Sequence, residues 1–192
     1  PRLSKNKRFV KRFSSTWESL IPRYFKFQFA GSIGIFSVGT GWDYGHHRQW
    51  ETDVMLGLIP RCSSRRATAT FTLRQYYIPW NIQLGMYKGD DYSVAPLRCC
   101  LFFNTVYGDE FWTQEPDRYP SGYYNFSTRI RIGCSLGQSV TWHFDRNAHK
   151  YFCKSFSLYY EAVTSDIYVI SAFTNKYLGL KDIINITFGV KW

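Results

Sequence analysis

Apolar and polar residues alternate with a period of two along most of this chain, and amphipathic helical periodicity is nearly absent. In the stretch 24–44, YFKFQFAGSIGIFSVGTGWDY, Phe25, Phe27, Phe29, Ile33 and Ile35 share one parity, while Lys26, Gln28, Ser32 and Gly34 hold the other. Further along, Trp50, Thr52, Val54, Leu56 and Leu58 oppose Gln49, Glu51, Asp53 and Met55. Ala67, Ala69, Phe71, Leu73 and Tyr77 then oppose Thr68, Thr70, Thr72, Arg74 and Tyr76. Ala95, Leu97, Cys99, Leu101 and Phe103 face away from Arg98, Cys100, Phe102 and Asn104, and Tyr124, Phe126, Ile130, Ile132 and Cys134 from Asn125, Ser127, Arg129 and Arg131. Successive side chains of a strand point to opposite faces, so each run reads as a β-strand with one apolar and one polar face.

SVTWHF, KSFSLYYEA, DIYVISAF and LKDIINITFGVKW continue the pattern, which brings the candidates to nine. A closed antiparallel barrel of the membrane type has an even number of strands, so one candidate must merge with a neighbour. Eight strands is the expectation and ten the alternative, with the join at Thr164 to Asp166 the place to remove one. The expected fold is all-β, an antiparallel transmembrane β-barrel over residues 24–192, preceded by a basic N-terminal periplasmic tail over residues 1–23.

Alternation by parity also suits a soluble β-sandwich or a lipocalin-like barrel, which turn the apolar face inward. Three features favour the inverted arrangement. Aromatic residues gather at strand ends (Trp42, Tyr44, Trp50, Tyr76, Tyr77, Trp80, Tyr107, Trp112, Tyr123, Tyr124), as interfacial girdles do. The polar faces carry Glu51, Asp53, Arg74, Arg98, Arg129, Arg131 and Glu161, a mixed-sign set fit for pairing in a narrow lumen, where a solvated face would more often show Lys. Most strands also run about 9–15 residues, enough to cross a hydrocarbon layer at a tilt.

Composition narrows the class further. Phe, Tyr and Trp make up 20% of the 192 residues, too aromatic a chain for disorder. No uninterrupted apolar stretch approaches the roughly 18 residues of a transmembrane helix. The segment PRLSKNKRFVKR holds six Lys/Arg and no acid, six of the net +10 charge. It lacks the apolar core of a signal peptide and reads as the start of a processed chain. Such a tail suits an anionic surface, phospholipid or lipopolysaccharide phosphate. Nucleic acid is not expected as a partner, because the remaining Lys and Arg are scattered among strands. Cys62, Cys99, Cys100, Cys134 and Cys153 form no CxxC pair and read as small apolar packing residues.

The last strand carries Ile184, Ile186, Phe188, Val190 and Trp192 on one parity. It resembles the C-terminal signature of bacterial outer-membrane β-barrels, which the barrel-assembly machinery recognises; Phe188 and Trp192 are the matching assembly signal. Together with GSIGIFSVGTGWDYG, QWETDVMLGLIP, ATATFTLRQYYIPW, DRYPSGYY and DIYVISAF, the chain is similar to a group of small outer-membrane barrels from Bacteroidota over about Phe27 to Trp192. The resemblance implies a Gram-negative outer-membrane location and a signal peptide upstream, and it supplies no catalytic residues.

Candidate chemistry is sparse. Ser139 and His143 share the polar parity of one strand and Glu161 that of a later one, the hydroxyl, imidazole and carboxylate that a lipid A or phospholipid acyl hydrolase or transferase would need. His46 and His47 fall in YGHHRQ, which reads as a hairpin turn with no acid or Cys cluster beside them, so no metal site is expected and no cofactor is implied. Glu51, Asp53, Arg74, Arg98, Arg129, Arg131 and Glu161 are expected to interlock and plug the lumen. The stretch 106–124 carries Trp112, Glu115, Asp117, Arg118 and Tyr119, a composition suited to contact with another outer-membrane or periplasmic protein. Eight strands counted from a single first strand at 24–44 would put that loop on the same side as the termini, where barrels have short turns. The expected role is therefore that of a structural or accessory subunit of a larger envelope complex, with the lipid-modifying enzyme as the rival.

Overall fold

A computed structural model describes residues 18–29, 35–59, 68–87, 90–107, 130–144, 155–166 and 184–192. Its strands are β1 (Tyr24–Phe29), β2 (Phe36–Tyr44), β3 (Trp50–Ile59), β4 (Thr68–Tyr77), β5 (Ile82–Tyr87), β6 (Asp90–Tyr107), β7 (Ile130–His143), β8 (Ser155–Ser165) and β9 (Asn185–Lys191). Every pairing is antiparallel, and eight strands close into a ring in the order β1-β2-β3-β4-β6-β7-β8-β9. The ninth, β5, lies outside the ring and pairs only with the N-terminal part of β6.

The expected number of barrel strands is met by a different partition of the sequence. The stretch 24–44 is two strands, β1 and β2, joined as a hairpin in which Phe29 faces Phe36. The stretches YYNFSTRIRIGC and SVTWHF contribute to one strand, since β7 runs unbroken from Ile130 to His143. DIYVISAF lies outside the described residues, and β8 ends at Ser165. Splitting the first stretch reverses the direction of every strand up to β6. Tyr107 and Ile130, the residues that bracket 108–129, therefore stand on the rim opposite the termini. That rim, which we call distal, is not the one expected for this loop; the loop's own residues lie outside the described set.

Sealing of the ring depends on the seam between β1 and β9. Lys26 to Phe29 pair with Lys191 to Phe188, and Phe25 and Trp192 exchange both backbone hydrogen bonds at 2.8 and 3.0 Å. No sheet edge remains between these strands.

One irregularity matters for the faces. A bulge between Ala95 and Arg98 in the β6–β7 ladder shifts the parity of β6. Ala95 is consequently buried on the inner face with Ser93, not on the outer face with Leu97 and Cys99 as uniform alternation predicts. Pro96 explains the disruption, because it has no N–H to give the ladder.

The two faces of the wall differ sharply. Phe25, Phe29, Phe36, Val38, Leu56, Leu58, Leu101, Phe103, Ile132, Leu136, Ile186 and Phe188 point outward, with Leu56, Leu101 and Phe188 still 60%, 63% and 57% exposed. Among the residues of the closed ring whose side chains are described, no outward position carries a charge. The interior instead buries Lys26, Gln28, Glu51, Asp53, Thr70, Thr72, Arg74, Arg98, Asn104 and Glu161. Tyr76, expected in a girdle, is fully buried in the lumen, whereas Trp50 and Tyr77 stack outside with ring centroids 4.8 Å apart. Trp142 and Phe156 at 6.0 Å, and Phe25 and Trp192 at 6.3 Å, extend this aromatic belt around the rim that holds the termini, here called proximal.

Bulky interior residues need facing glycines. A Cβ at Gly41 would meet the Tyr24 ring and the Asp53 carboxylate, and one at Gly189 would meet the Tyr159 ring and stand 2.8 Å from the Phe27 carbonyl oxygen across the seam. Gly189→Ala should overpack the closing strand and lower stability by about 1–3 kcal/mol. Urea unfolding in detergent, followed by tryptophan fluorescence, would read this as a lower midpoint; an unchanged midpoint would contradict the tight approach.

Candidate functional site

Inward positions of the strands converge in two layers, a filled lumen and an open vestibule above it at the proximal rim. Lys26 on β1 reaches across to β3, placing its Nζ 2.5 Å from Asp53 and 3.5 Å from Glu51. Tyr24 adds a hydroxyl donated to Asp53 at 2.5 Å. Arg98 on β6 donates to the same Glu51 at 3.0 Å, and Lys191 on β9 pairs with its other oxygen. One carboxylate thus binds three cations from three walls. Deeper in the barrel, Arg74 on β4 is ion-paired with Glu161 on β8 and hydrogen-bonded to Gln28 on β1, while Ser135 donates to Glu161 at 3.1 Å.

Aromatic faces complete the packing. Tyr76 lies amid Lys26, Arg98 and Arg74, at 4.2, 4.8 and 5.0 Å from its ring centroid. Lys191 sits 4.5 Å from the Tyr24 centroid, and Arg98 5.4 Å from that of Tyr159. Cations within about 6 Å of a ring are drawn to its negative face, more so when desolvated. Since these groups have left water, each pair must recover its hydration through geometry and extra hydrogen bonds. The lumen is filled by these charged and polar side chains together with Met55, Cys100, Phe102 and Val163.

Five of the seven charged residues expected inside, Glu51, Asp53, Arg74, Arg98 and Glu161, meet there. Arg129 lies outside the described residues. Arg131 is half-buried near the distal end of β7 and has no acidic partner among the described residues. The cations that take the expected place of these arginines are Lys26 and Lys191. Their signal was present, because both lie on polar parities, but the association of Lys with solvated faces hid it. Tyr24 and Tyr159 carry no expected role, and Tyr76, although it shares the polar parity of Arg74, is expected in the girdle.

Toward the proximal rim the lumen widens into a vestibule of about 1490 Å³. Its floor includes Glu51, Arg98 and Lys191, and its walls include Ser93, Ser139, Thr141, His143 and Ser157. Ile78, Pro79, Trp80 and Ile82, from the segment between β4 and β5 and the start of β5, give it an apolar flank. The expected trio of Ser139, His143 and Glu161 does not assemble. Ser139 accepts a hydrogen bond from Arg98 at 3.3 Å, Glu161 is committed to Arg74, and His143 Nε2 lies 3.0 Å from the hydroxyl of Ser93. Ser93 was missed because the bulge at Pro96 changes which parity of β6 faces inward.

His46 and His47 also line the vestibule. They occupy the turn between β2 and β3, where their rings meet edge-on with centroids 4.4 Å apart, in contrast to the opposed directions that a strand would impose. Arg48 in this turn has φ 53° and pairs with Asp43 at 3.3 Å; Arg23 pairs with Asp43 at 3.2 Å. Phe188 on β9 and Trp192 immediately after it are both exposed on the outer face. The contact-loop residues Trp112, Glu115, Asp117, Arg118 and Tyr119 lie outside the described residues.

Comparison with protein-family models, with curated proteins and with solved structures finds no match to this chain.

The network yields a quantitative expectation. Arg74→Leu leaves Glu161 as an uncompensated buried charge and should cost about 3–5 kcal/mol, whereas joint replacement of Arg74 and Glu161 by Leu should cost far less. Arg131→Leu should shift the urea midpoint only slightly. Equal losses for Arg74→Leu and Arg131→Leu would show that the ion pair does not carry the stability.

Proposed function

We propose that the chain is an integral outer-membrane β-barrel, closed to solutes and acting as a structural or accessory subunit of a larger envelope complex. The observation that carries this reading is the inverted distribution of polarity: among the described side chains of the wall, a predominantly apolar, uncharged exterior surrounds a lumen crossed by ion pairs. In water such an exterior would leave an apolar surface far beyond the few hundred Å² that soluble monomers expose. In a bilayer it is the surface that lipid requires, and the closed ring satisfies every wall strand's backbone groups within the sheet. The proximal belt of Trp50, Tyr77, Trp142, Phe156 and Trp192 fits one interface.

With the termini in the periplasm, Tyr107 and Ile130 stand at the extracellular rim, where longer loops of such barrels are found. That placement suits contact with another surface component or lipopolysaccharide, and the basic tail on the periplasmic side suits phospholipid phosphates. The likeness to small Bacteroidota barrels and the strand ending in Phe188 and Trp192 support insertion by the barrel-assembly machinery. A filled lumen favours a scaffold over a pore.

Changing Phe188 to Asp puts a charge on the lipid face and should cost up to about 2–4 kcal/mol near the midplane, blocking insertion. Deleting Trp192 should do the same by removing its seam hydrogen bonds with Phe25, whereas Asn185→Ser should be tolerated. Outer-membrane fractionation with protease shaving reads the outcome. A wild-type chain that stays folded and monomeric without detergent would overturn the membrane reading.

A further inference from the structure

Besides that of Ser93, the hydroxyls of Ser139, Thr141, Ser155 and Ser157 face the vestibule from β7 and β8. Ser139 is held by Arg98 at 3.3 Å, while Thr141 and Ser157 hold one another at 2.8 Å. Ser93 alone among these is joined to an imidazole, with its Oγ 3.0 Å from His143 Nε2. Backbone pairing of β6 with β7 does not need this contact, because the ladder is already made by the main chain from Asp91↔His143 to Ala95↔Ser139. The Ser93 side chain is buried at 2% exposure, and His143 stands above it toward the opening. Asp91 lies directly across the ladder from His143, a position whose Cβ separation is about 5 Å.

The surroundings define a substrate. Around Glu51 and Asp53 stand Lys26, Arg98 and Lys191, three cations to two acids, and the Nε of Arg98 is buried without a protein hydrogen-bond partner. Arg98 is tied to Ser139, which pairs with Ala95, one inward position from Ser93. The excess positive charge therefore lies on the floor of the vestibule that Ser93 lines, where it favours an anionic headgroup. Ile78, Trp80 and Ile82 offer the same opening an apolar flank.

We propose that Ser93 and His143 form a nucleophile and general base that hydrolyse acyl esters of a phosphate-bearing amphiphile at the mouth of the barrel. Ser93 Oγ attacks the ester carbonyl as its proton passes to His143 Nε2. Collapse of the tetrahedral intermediate breaks the acyl–oxygen bond, and the imidazolium gives its proton to the departing alcohol. Water, deprotonated by the same nitrogen, then attacks the acyl-serine; the fatty acid leaves and Ser93 recovers its proton. Asp91 opposes the positive charge that His143 carries in both steps, so it is a positioning residue. This activity goes beyond the scaffold reading but relies on the same barrel.

The test uses the full chain in detergent micelles, with heat-modifiable migration recording the folded barrel independently of activity. Wild-type protein is incubated with phosphatidylglycerol in one arm and lipopolysaccharide in the other, and released fatty acid is measured by mass spectrometry; a fluorophosphonate probe reports the reactive serine. Release in either arm, with the probe on Ser93, supports the proposal and identifies the amphiphile. Ser93→Ala should abolish labelling and lower release at least 1000-fold. His143→Gln, which keeps a hydrogen-bonding group beside Ser93, should lower it by about 100-fold or more. The proposal is overturned if folded wild-type protein releases no fatty acid in either arm, or if folded Ser93→Ala retains the wild-type rate. Loss of heat-modifiable migration in the wild type would instead count against the barrel on which the site is built.

Discussion

Everything in this barrel depends on satisfying charge in a space too narrow for water to do it. Glu51 accepts Lys26, Arg98 and Lys191, and Arg74 spans the interior to Glu161. These contacts join strands that are not neighbours in the ring, so they tie opposite walls together as hydrogen-bonded ladders cannot. Tyr76 fills the space between three of the cations. Its ring supplies negative potential without adding charge, which lets four cations share the lumen with three carboxylates.

The same arrangement reverses the usual logic of a core. A soluble protein gains stability from apolar burial, but here Leu56, Leu101 and Phe188 lie outside and the guanidinium groups of Arg74 and Arg98 lie within. Hydrophobic burial would therefore come from the surroundings, while the interior supplies rigidity and register. The vestibule follows from this division: where the barrel opens at Ser93 and His143, buried charge on the floor meets apolar residues on the flank.

Alternation made the wall legible in the sequence, because period two is imposed by the backbone and survives any choice of partner. Phe25, Leu56, Leu73, Leu101 and Phe188 all face as parity requires. Two features defeated the method at defined places. The pairing of Phe29 with Phe36 was concealed by Ile33 and Ile35, which continue the earlier parity in the sequence. The bulge at Pro96 inverted the phase of the start of β6, hiding Ser93 from the search for a hydroxyl beside His143. Long-range pairing was legible only as a set of charges. Parity showed that Glu51, Arg98 and Lys191 share the polar side of their strands, but their meeting depends on ring order and shear, which no single strand encodes.

The seam where Lys26 meets Lys191 has a consequence for the time course of folding. The first wall strand must wait for the last before either has a complete set of partners, so the contacts that seal the structure are the most distant in the chain. Such closure carries a large loop entropy and is slow compared with hairpin formation. Until it happens, β1 and β9 both present open edges. The vulnerability of such a chain to aggregation is set by that interval rather than by the stability of the finished ring.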